Sequence, residues 1–566
     1  MKISRRQMVE DHGLDACVPD PVLRRILLSR GVHDPQDLDP SLEHLLHFKQ
    51  LQDITKASET IAEAVINKEH IRVMGDYDVD GMTGTALGVL CLKAFGLENV
   101  SFQVPSRYDN GYGLSVPMVE KAASDGVQLI VTVDNGISCH EAVARARDLG
   151  LKVVITDHHE PSATLPDAIA VVDPKRHDCR FPSKNLCGVG VLFYVLIATR
   201  SELIARGYFK DRSSAPAMGQ FLDLVAIGTV GDVVPFDANN RRLVKAGLKR
   251  MHEMSTQLGV RALSEVARVN LANITTSNIA FDLCPRLNAA GRIRLNDNPS
   301  VQCLLSSDGT EAMNLAQRLD MINRRRGDYE RVYLAEARED AQSAVRSSSL
   351  VVYRPHWLSG VAGLIASRLK DSYGVPCFVF AGESEEITGS ARSVQGFPLA
   401  QVLSEMAEDA PGLLIRYGGH AMAAGATIQR ERIEEFRTLF DAKAAALLSQ
   451  CGGEAPIETD GALPGTHVNL DFARALEYFG PWGQGYPEPT FDGSFMIRDI
   501  KLLGNRNLRM TLVGPDFSVT AIRFRATAAE KALLAGMQVN VVYSLCVDRY
   551  YKNERLEAVI KAIEPV

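Results

Sequence analysis

Between residues 71 and 172 the chain repeats one pattern: a short β-branched run, a polar or glycine-rich turn, then a helical stretch. The runs are IRVM (71–74), LIVTV (129–133), KVVIT (152–156) and AIAVV (168–172). Near-continuous apolar strands alternating with helices indicate a parallel sheet covered on both faces. Such sheets hold their ligands at the carboxyl ends of the strands, near a switch in strand order. The fold class expected here is therefore α/β, and the turns after the strands are where chemistry should lie.

The remaining chain is read around that sheet. Its 566 residues allow about three to five domains. Residues 1–50 are polar and helical in pattern, without a chemical motif. Residues 51–309 form the sheet-bearing domain, and 310–346 one long charged helix, with a break expected at Gly327. A second α/β domain spans 347–450, CGGEAP (451–456) is a linker, and 457–566 alternates in the manner of a small antiparallel barrel. The apolar stretch LCGVGVLFYVLIAT (186–199) is too short for a bilayer and reads as a buried core helix.

The turn after the first run is GDYDVDGMTGT. Asp76, Asp78 and Asp80 crowd three carboxylates onto one loop, which is stable when cations hold them, and Gly81 is expected to allow a sharp turn into a helix. An EF-hand is excluded: its twelfth position needs a bidentate Glu and here holds Leu87, and a strand, not a helix, precedes the loop. An acidic surface loop capping a helix is the bland alternative. Against it, Asp134 follows the second run, Asp157, His158 and His159 follow the third, and Asp232 ends LVAIGTVGD, read here as a further strand end. Mixed carboxylate and imidazole donors suit Mn2+ or Mg2+. Asp-rich sites of this kind hold two metals about 3.5–4 Å apart and clamp a phosphate during attack by water.

Composition sets limits on the rest. Acids exceed bases 69 to 62, for a formal charge of −7, which excludes a uniformly basic nucleic-acid coat but not a basic channel in an acidic shell. The ten cysteines show neither a CxxC pair nor regular spacing, so buried thiols in a reducing compartment are expected. MKISRRQMVEDHGL lacks an apolar core and is not a signal peptide. No GxxxxGK[ST] loop is present, and GVGVLF (188–193) lacks the third glycine of a dinucleotide fingerprint. A cytoplasmic, multidomain protein with no membrane partner is the expectation.

DYDVDG, VDNG, DHH and GTVGD occur in the order and spacing of the DHH phosphoesterase superfamily. HWLSGVAGLIASRL (356–369), GSARS (389–393), RYGGHAMAAG (416–425) and PWGQGYPEPTF (481–491) resemble the bacterial single-strand-specific exonucleases within it. The resemblance covers nearly everything from about residue 40 onward. It implies a DHH catalytic domain, a second domain bearing the GGH motif, and a C-terminal oligonucleotide-binding (OB) barrel. It also implies a 5′→3′ exonuclease that degrades single-stranded DNA to mononucleotides in recombination and repair. Asp76, Asp78, Asp80, Asp134, His158 and Asp232 would be the metal ligands, with Asp134 bridging, and Asp157 and His159 would orient ligands or touch the scissile phosphate. Arg107, Ser390 and Arg392 would bind a terminal 5′-phosphate, and His420 a phosphate close to the metals, although a structural histidine in a glycine turn is its rival. A monomer cooperating with single-strand-binding protein and a RecQ-type helicase is implied as well.

The residues add their own support for a polyanionic substrate. Between Arg241 and Asp297 ten Lys or Arg face four acids. In PRLNAAGRIR, Arg286 and Arg292 sit among small residues that let a backbone come close, and guanidinium forks suit phosphate oxygens. Tyr108 and Tyr112 either stack on bases or pack in the core. In the barrel, Phe517, Arg523, Phe524, Arg525, Arg549, Tyr550 and Tyr551 are candidates for a strand-binding groove. A small-molecule DHH phosphodiesterase lacks such a barrel, and a non-catalytic relative would not keep every motif acid with His158.

Overall fold

The computed structural model of the chain describes residues 2–7, 13–105, 113–295, 297–343, 348–449, 456–504, 506–549 and 553–566. They form two compact units. One comprises 1–104, 113–284 and 456–566; the other comprises 105–112 and 285–455.

In the first unit the four runs become strands of a five-stranded, all-parallel sheet. Its spatial order is Val100–Gln103, Ile71–Met74, Leu129–Thr132, Lys152–Thr156 and Ala170–Val172. The edge strand Val100–Gln103 is not among the four runs, because two of its four residues are polar and it is only half buried. The chain leaves Ile71–Met74 for one neighbour and returns to the other, Leu129–Thr132. Strand order therefore reverses between the strands that precede Asp76 and Asp134, which is where a doubly wound sheet opens a crevice.

The helices Val79–Ala94, Gly188–Ala205 and Leu222–Gly231 are buried almost all round. Gly188–Ala205 has the length and composition to cross a membrane, and 67% of it is buried inside the protein. Leu222–Gly231 corrects one expectation: LVAIGTVGD is a helix, and Asp232 caps its C-terminus instead of ending a strand. A uniformly buried apolar run carries no periodicity to tell the two apart.

The C-terminal strands Phe491–Leu503, Asn507–Val513, Ser518–Arg523, Arg555–Pro565 and Gln538–Asp548 close a barrel in that order. Ser518–Arg523 and Arg555–Pro565 run parallel, whereas all other pairs are antiparallel. Five strands cannot alternate direction around a closed ring, so one parallel pair is unavoidable. The barrel belongs to the same unit as the parallel sheet. Ile3–Arg5 pairs with Ile457–Thr459, and Phe236 N donates to Gln484 O at 2.7 Å.

The second unit holds a mixed sheet ordered Arg416–Gly419, Ala423–Gln429, Glu386–Arg392, Cys377–Ala381, Leu350–Arg354. Phe378, Phe380, Phe436 and Phe440 fill its core, with ring centroids 4.6–5.7 Å apart. The helix Gly309–Ser343 runs unbroken through Gly327. A lone glycine costs a helix about 1 kcal/mol relative to alanine, too little to break one packed along its length. No disulfide joins any of the described cysteines.

Candidate metal centre

The loop after Ile71–Met74 is folded tightly onto the helix it opens. Asp78 caps Val79–Ala94, accepting from Asp80 N at 3.0 Å and Gly81 N at 3.2 Å. Gly81 does not supply the sharp turn expected of it. It lies inside the first helical turn, where an added Cβ would stand 2.3 Å from Asp76 N. The glycine is needed for close approach, so that Asp76 and Asp80 can face the same space.

Asp80 is completely buried. Its carboxylate accepts from Gly188 N at 2.5 Å and Val189 N at 2.9 Å, the first amides of the helix Gly188–Ala205. A helix N-terminus favours an anion there. Gly188 also lies against Asp134: a Cβ on it would be 2.5 Å from the Asp134 Cβ. Sequence reasoning set GVGVLF aside as a failed nucleotide fingerprint, yet its first glycine seats two of the candidate ligands. Gly188→Ala is expected to force Asp80 and Asp134 apart, at about 1–3 kcal/mol of overpacking. Thermal unfolding and Mn2+ titration should both register the loss; unchanged Mn2+ affinity would contradict this packing role.

Asp134, two residues beyond the end of Leu129–Thr132, has left-handed backbone (φ 63°). The next strand delivers Asp157, His158 and His159. Asp157 accepts from Ile137 N at 2.9 Å, His158 N at 2.7 Å and His159 Nδ1 at 2.7 Å. His158 Nε2 lies 3.0 Å from Asp134, 3.5 Å from Asp232 and 3.8 Å from Asp80. Burial pushes the Asp157 carboxyl up, but the hydrogen bond and charge of His159 outweigh it and hold the group below its usual range. Burial in turn pushes His159 down, and Asp157 with Asp76 and Asp80 raises it above its usual value.

The donor atoms fall into three overlapping sets: Asp76, Asp78 and Asp134; Asp80, His158 and Asp232; and Asp134, His158 and His159. Within each set the atoms lie within 4.8 Å of one another. Burial raises Asp134 and Asp232 well above the usual carboxylate range, and the neighbouring aspartates add to it. Like charges packed this closely out of water are what bound cations relieve, and oxygen donors with an imidazole fit Mn2+ or Mg2+.

A pH dependence follows. Burial, then the Asp78 charge, pushes Asp80 up to about 7; burial, then the Asp157 charge, pushes Asp173 up to about 8. Both titrate near 3.8 when unperturbed, so between those values the folded metal-free protein holds protons the unfolded chain has released. Its stability must fall as pH rises through that window. The expected result is an unfolding midpoint of EDTA-treated protein that drops from about pH 5 to about pH 8. A midpoint independent of pH would contradict the buried-acid cluster.

Two neighbouring residues escaped sequence reasoning because AVVDPK carries no acidic cluster. Asp173 is fully buried after Ala170–Val172, accepts from Lys175 N at 2.7 Å, and its Oδ2 meets no donor among the described residues. Lys175 Nζ lies 3.2 Å from Glu160 Oε1, on the residue that follows DHH.

The proposed substrate residues lie mostly in the second unit. Arg107, with Tyr108 and Tyr112, falls outside the described residues, as do Tyr550 and Tyr551. Arg292 Nη1 donates to Gly360 O at 3.2 Å, and a Cβ on Gly363 would be 3.2 Å from Arg392 Nη2 and 3.5 Å from Ser390 Cβ. Arg292, Ser390 and Arg392 thus converge on the first turns of the helix Ser359–Tyr373, although nearly a hundred residues separate Arg292 from the other two. Arg286 is held by Asp320 at 2.9 Å. His420 is exposed at the hairpin turn between Arg416–Gly419 and Ala423–Gln429, its N donating to Ala423 O at 2.7 Å.

Three of the five barrel candidates among the described residues have structural partners. Arg523 pairs with Glu530 at 2.9 Å, Arg549 with Glu477 at 2.8 Å and Glu554 at 2.9 Å, and Phe517 packs on Phe495. Phe524 is half exposed.

A parallel sheet whose carboxyl edge, at the reversal of strand order, carries Asp-x-Asp-x-Asp, a lone Asp and Asp-His-His defines a DHH phosphoesterase. The DHH family N-terminal domain model matches residues 70–229, the DHHA1 domain 347–446 and the RecJ OB domain 459–562. The chain is 40% identical to the single-stranded-DNA-specific exonuclease RecJ of Salmonella typhimurium, over 100% of this chain and 99% of that one. It also resembles the crystal structures of Thermus thermophilus RecJ in complex with Mn2+ (TM-score 0.82, 29% identity) and with Mg2+ (TM-score 0.74, 27% identity). Each alignment covers 99% of this chain, and 79% and 78% of the Thermus chains respectively. The chain belongs to the RecJ family.

Proposed function

We propose that this protein hydrolyses single-stranded DNA from its 5′ end to 5′-mononucleotides, using two divalent cations, Mn2+ or Mg2+, in recombination and repair. The observation that carries the reading is the convergence of Asp76, Asp78, Asp80, Asp134, His158 and Asp232 at the reversal of strand order. Relatives named as single-stranded-DNA-specific exonucleases, one of them crystallised with Mn2+ and with Mg2+, support it.

Cations bound among these donors supply Lewis acidity to a phosphodiester and lower the pKa of the attacking water. The chain's residues do the rest. Asp134 and His158 each belong to two of the three donor sets and so link them. Asp157 fixes His159 through Nδ1 and keeps it protonated to higher pH, which suits it to pair with phosphate oxygens or to protonate the leaving 3′-oxygen. Ser390, Arg392 and Arg292, at the N-terminal turns of a helix, are suited to a terminal phosphate, with Arg107 joining them by resemblance. Arg286 and His420 contact further phosphates. The protein acts as a monomer in the cytoplasm, alongside single-strand-binding protein and a RecQ-type helicase.

The test is digestion of a single-stranded oligonucleotide and its duplex in Mn2+ and in EDTA. Release of mononucleotides from the single strand in Mn2+ alone is expected. Equal digestion of duplex, or digestion in EDTA, would refute the proposal.

A further inference from the structure

Apart from the histidines, every functional side chain assigned to the metal centre is an acid, yet its substrate is a polyanion. The arginines proposed for substrate binding, Arg286, Arg292 and Arg392, belong to the second unit. Lys175 is a cation of the first unit that stands at the row of strand ends itself. Lys175 occupies the turn after Ala170–Val172, next in the sheet to the strand that carries Asp157, His158 and His159. Its Nζ is 3.2 Å from Oε1 of Glu160, one residue beyond His159. Its charge reaches Asp232 and Asp173, opposing the burial that raises both.

The two partners differ in a way that matters. The Lys175 side chain is 26% exposed and that of Glu160 is 71% exposed. A pair with one partner so open to water is held weakly. A charge-assisted hydrogen bond to a phosphate oxygen is the stronger of the two. Exchange of Glu160 for a phosphate is therefore downhill, and Glu160 can swing into solvent without being stranded. Glu160 then acts as a placeholder that keeps the ammonium pointed at the site before DNA arrives.

We propose that Lys175 is a substrate-binding residue: its ammonium leaves Glu160 and pairs with the backbone phosphate next to the one being cleaved. This rests on the proposed function and adds to it a cation at the metal centre itself. No bond is made or broken; one ion pair replaces another.

Steady-state cleavage of oligo(dT) in Mn2+, followed across salt concentrations, tests it. Lys175→Met is expected to raise KM about tenfold with kcat within about twofold. The slope of log(1/KM) against log salt should flatten by about 0.7, the loss of one phosphate contact on a single strand. Lys175→Arg should keep wild-type KM and slope. Glu160→Gln, at an exposed position that does not threaten the fold, should lower KM by freeing the ammonium. Unchanged KM and slope in Lys175→Met would overturn the proposal, as would a fall in kcat alone, the mark of a purely structural lock. If Lys175→Met does not fold, an unchanged or raised KM in Glu160→Gln overturns it. Wild-type protein in the same assay reports separately on the exonuclease reading, which fails if that protein does not digest the strand.

Discussion

Asp134→Asn should abolish Mn2+-dependent cleavage, lowering kcat by at least about 10^3-fold, while leaving the fold intact. The size follows from position. Asp134 belongs to two of the three donor sets, and His158 lies 3.0 Å from it, so its loss disturbs the whole centre. Asparagine is the informative substitution because Asp134 has φ 63°, which Asn tolerates and Ala resists. Alanine would mix loss of a ligand with backbone strain. The same variant should make the metal-free protein more stable, since it deletes one of several buried like charges around Asp80, Asp78, Asp232 and Asp76. Activity and metal-free stability are thus expected to move in opposite directions. Substantial residual cleavage in Asp134→Asn would remove this residue from the centre.

Arg30→Ala should cost about 3–5 kcal/mol, although Arg30 belongs to none of the donor sets. Arg30 forms a fork with Asp460, at 2.7 and 2.9 Å, in which both side chains are almost fully buried. Its Nε also donates to Pro487 O at 2.7 Å, and Thr490 N donates to Asp460 at 3.0 Å. Removing the guanidinium strands a carboxylate at the junction of the N-terminal segment and the barrel. Arg145→Ala, which breaks an exposed pair with Glu120, should cost less than about 1 kcal/mol. Differential scanning and limited proteolysis at the start of the barrel would compare the two, and equal effects would contradict the burial argument. Truncation at 457 is expected to reach beyond the barrel. Deleting the barrel exposes Phe236, Arg30 and Arg241, which stacks on Tyr486 at 4.3 Å, so it harms the catalytic unit as well as strand binding.

Much of the centre was legible in the sequence because strand ends announce themselves. IRVM and KVVIT are strands at the residues read, and each is followed by the side chains that chemistry needs. Asp232 was named as a candidate ligand by resemblance but was not legible as a helix cap, since LVAIGTVG is buried on every side and shows no period. The roles of Gly81 and Gly188 were not legible, because close approach depends on which helix packs against which loop. The edge strand Val100–Gln103 hid for the opposite reason: half exposure dilutes its apolar pattern. Arg30 and Asp460 meet across more than four hundred residues, and no local pattern connects them. The convergence of Arg292, Ser390 and Arg392 on one helix likewise belongs to tertiary packing alone.

The most direct measurement is digestion of one single-stranded oligonucleotide, labelled at its 5′ end or at its 3′ end, by the protein in Mn2+. A 5′-to-3′ exonuclease built on this centre releases the 5′ label at once as a mononucleotide, and the 3′ label stays on a steadily shortening strand. Early release of the 3′ label, or internal cuts that produce a ladder from both ends, would contradict it.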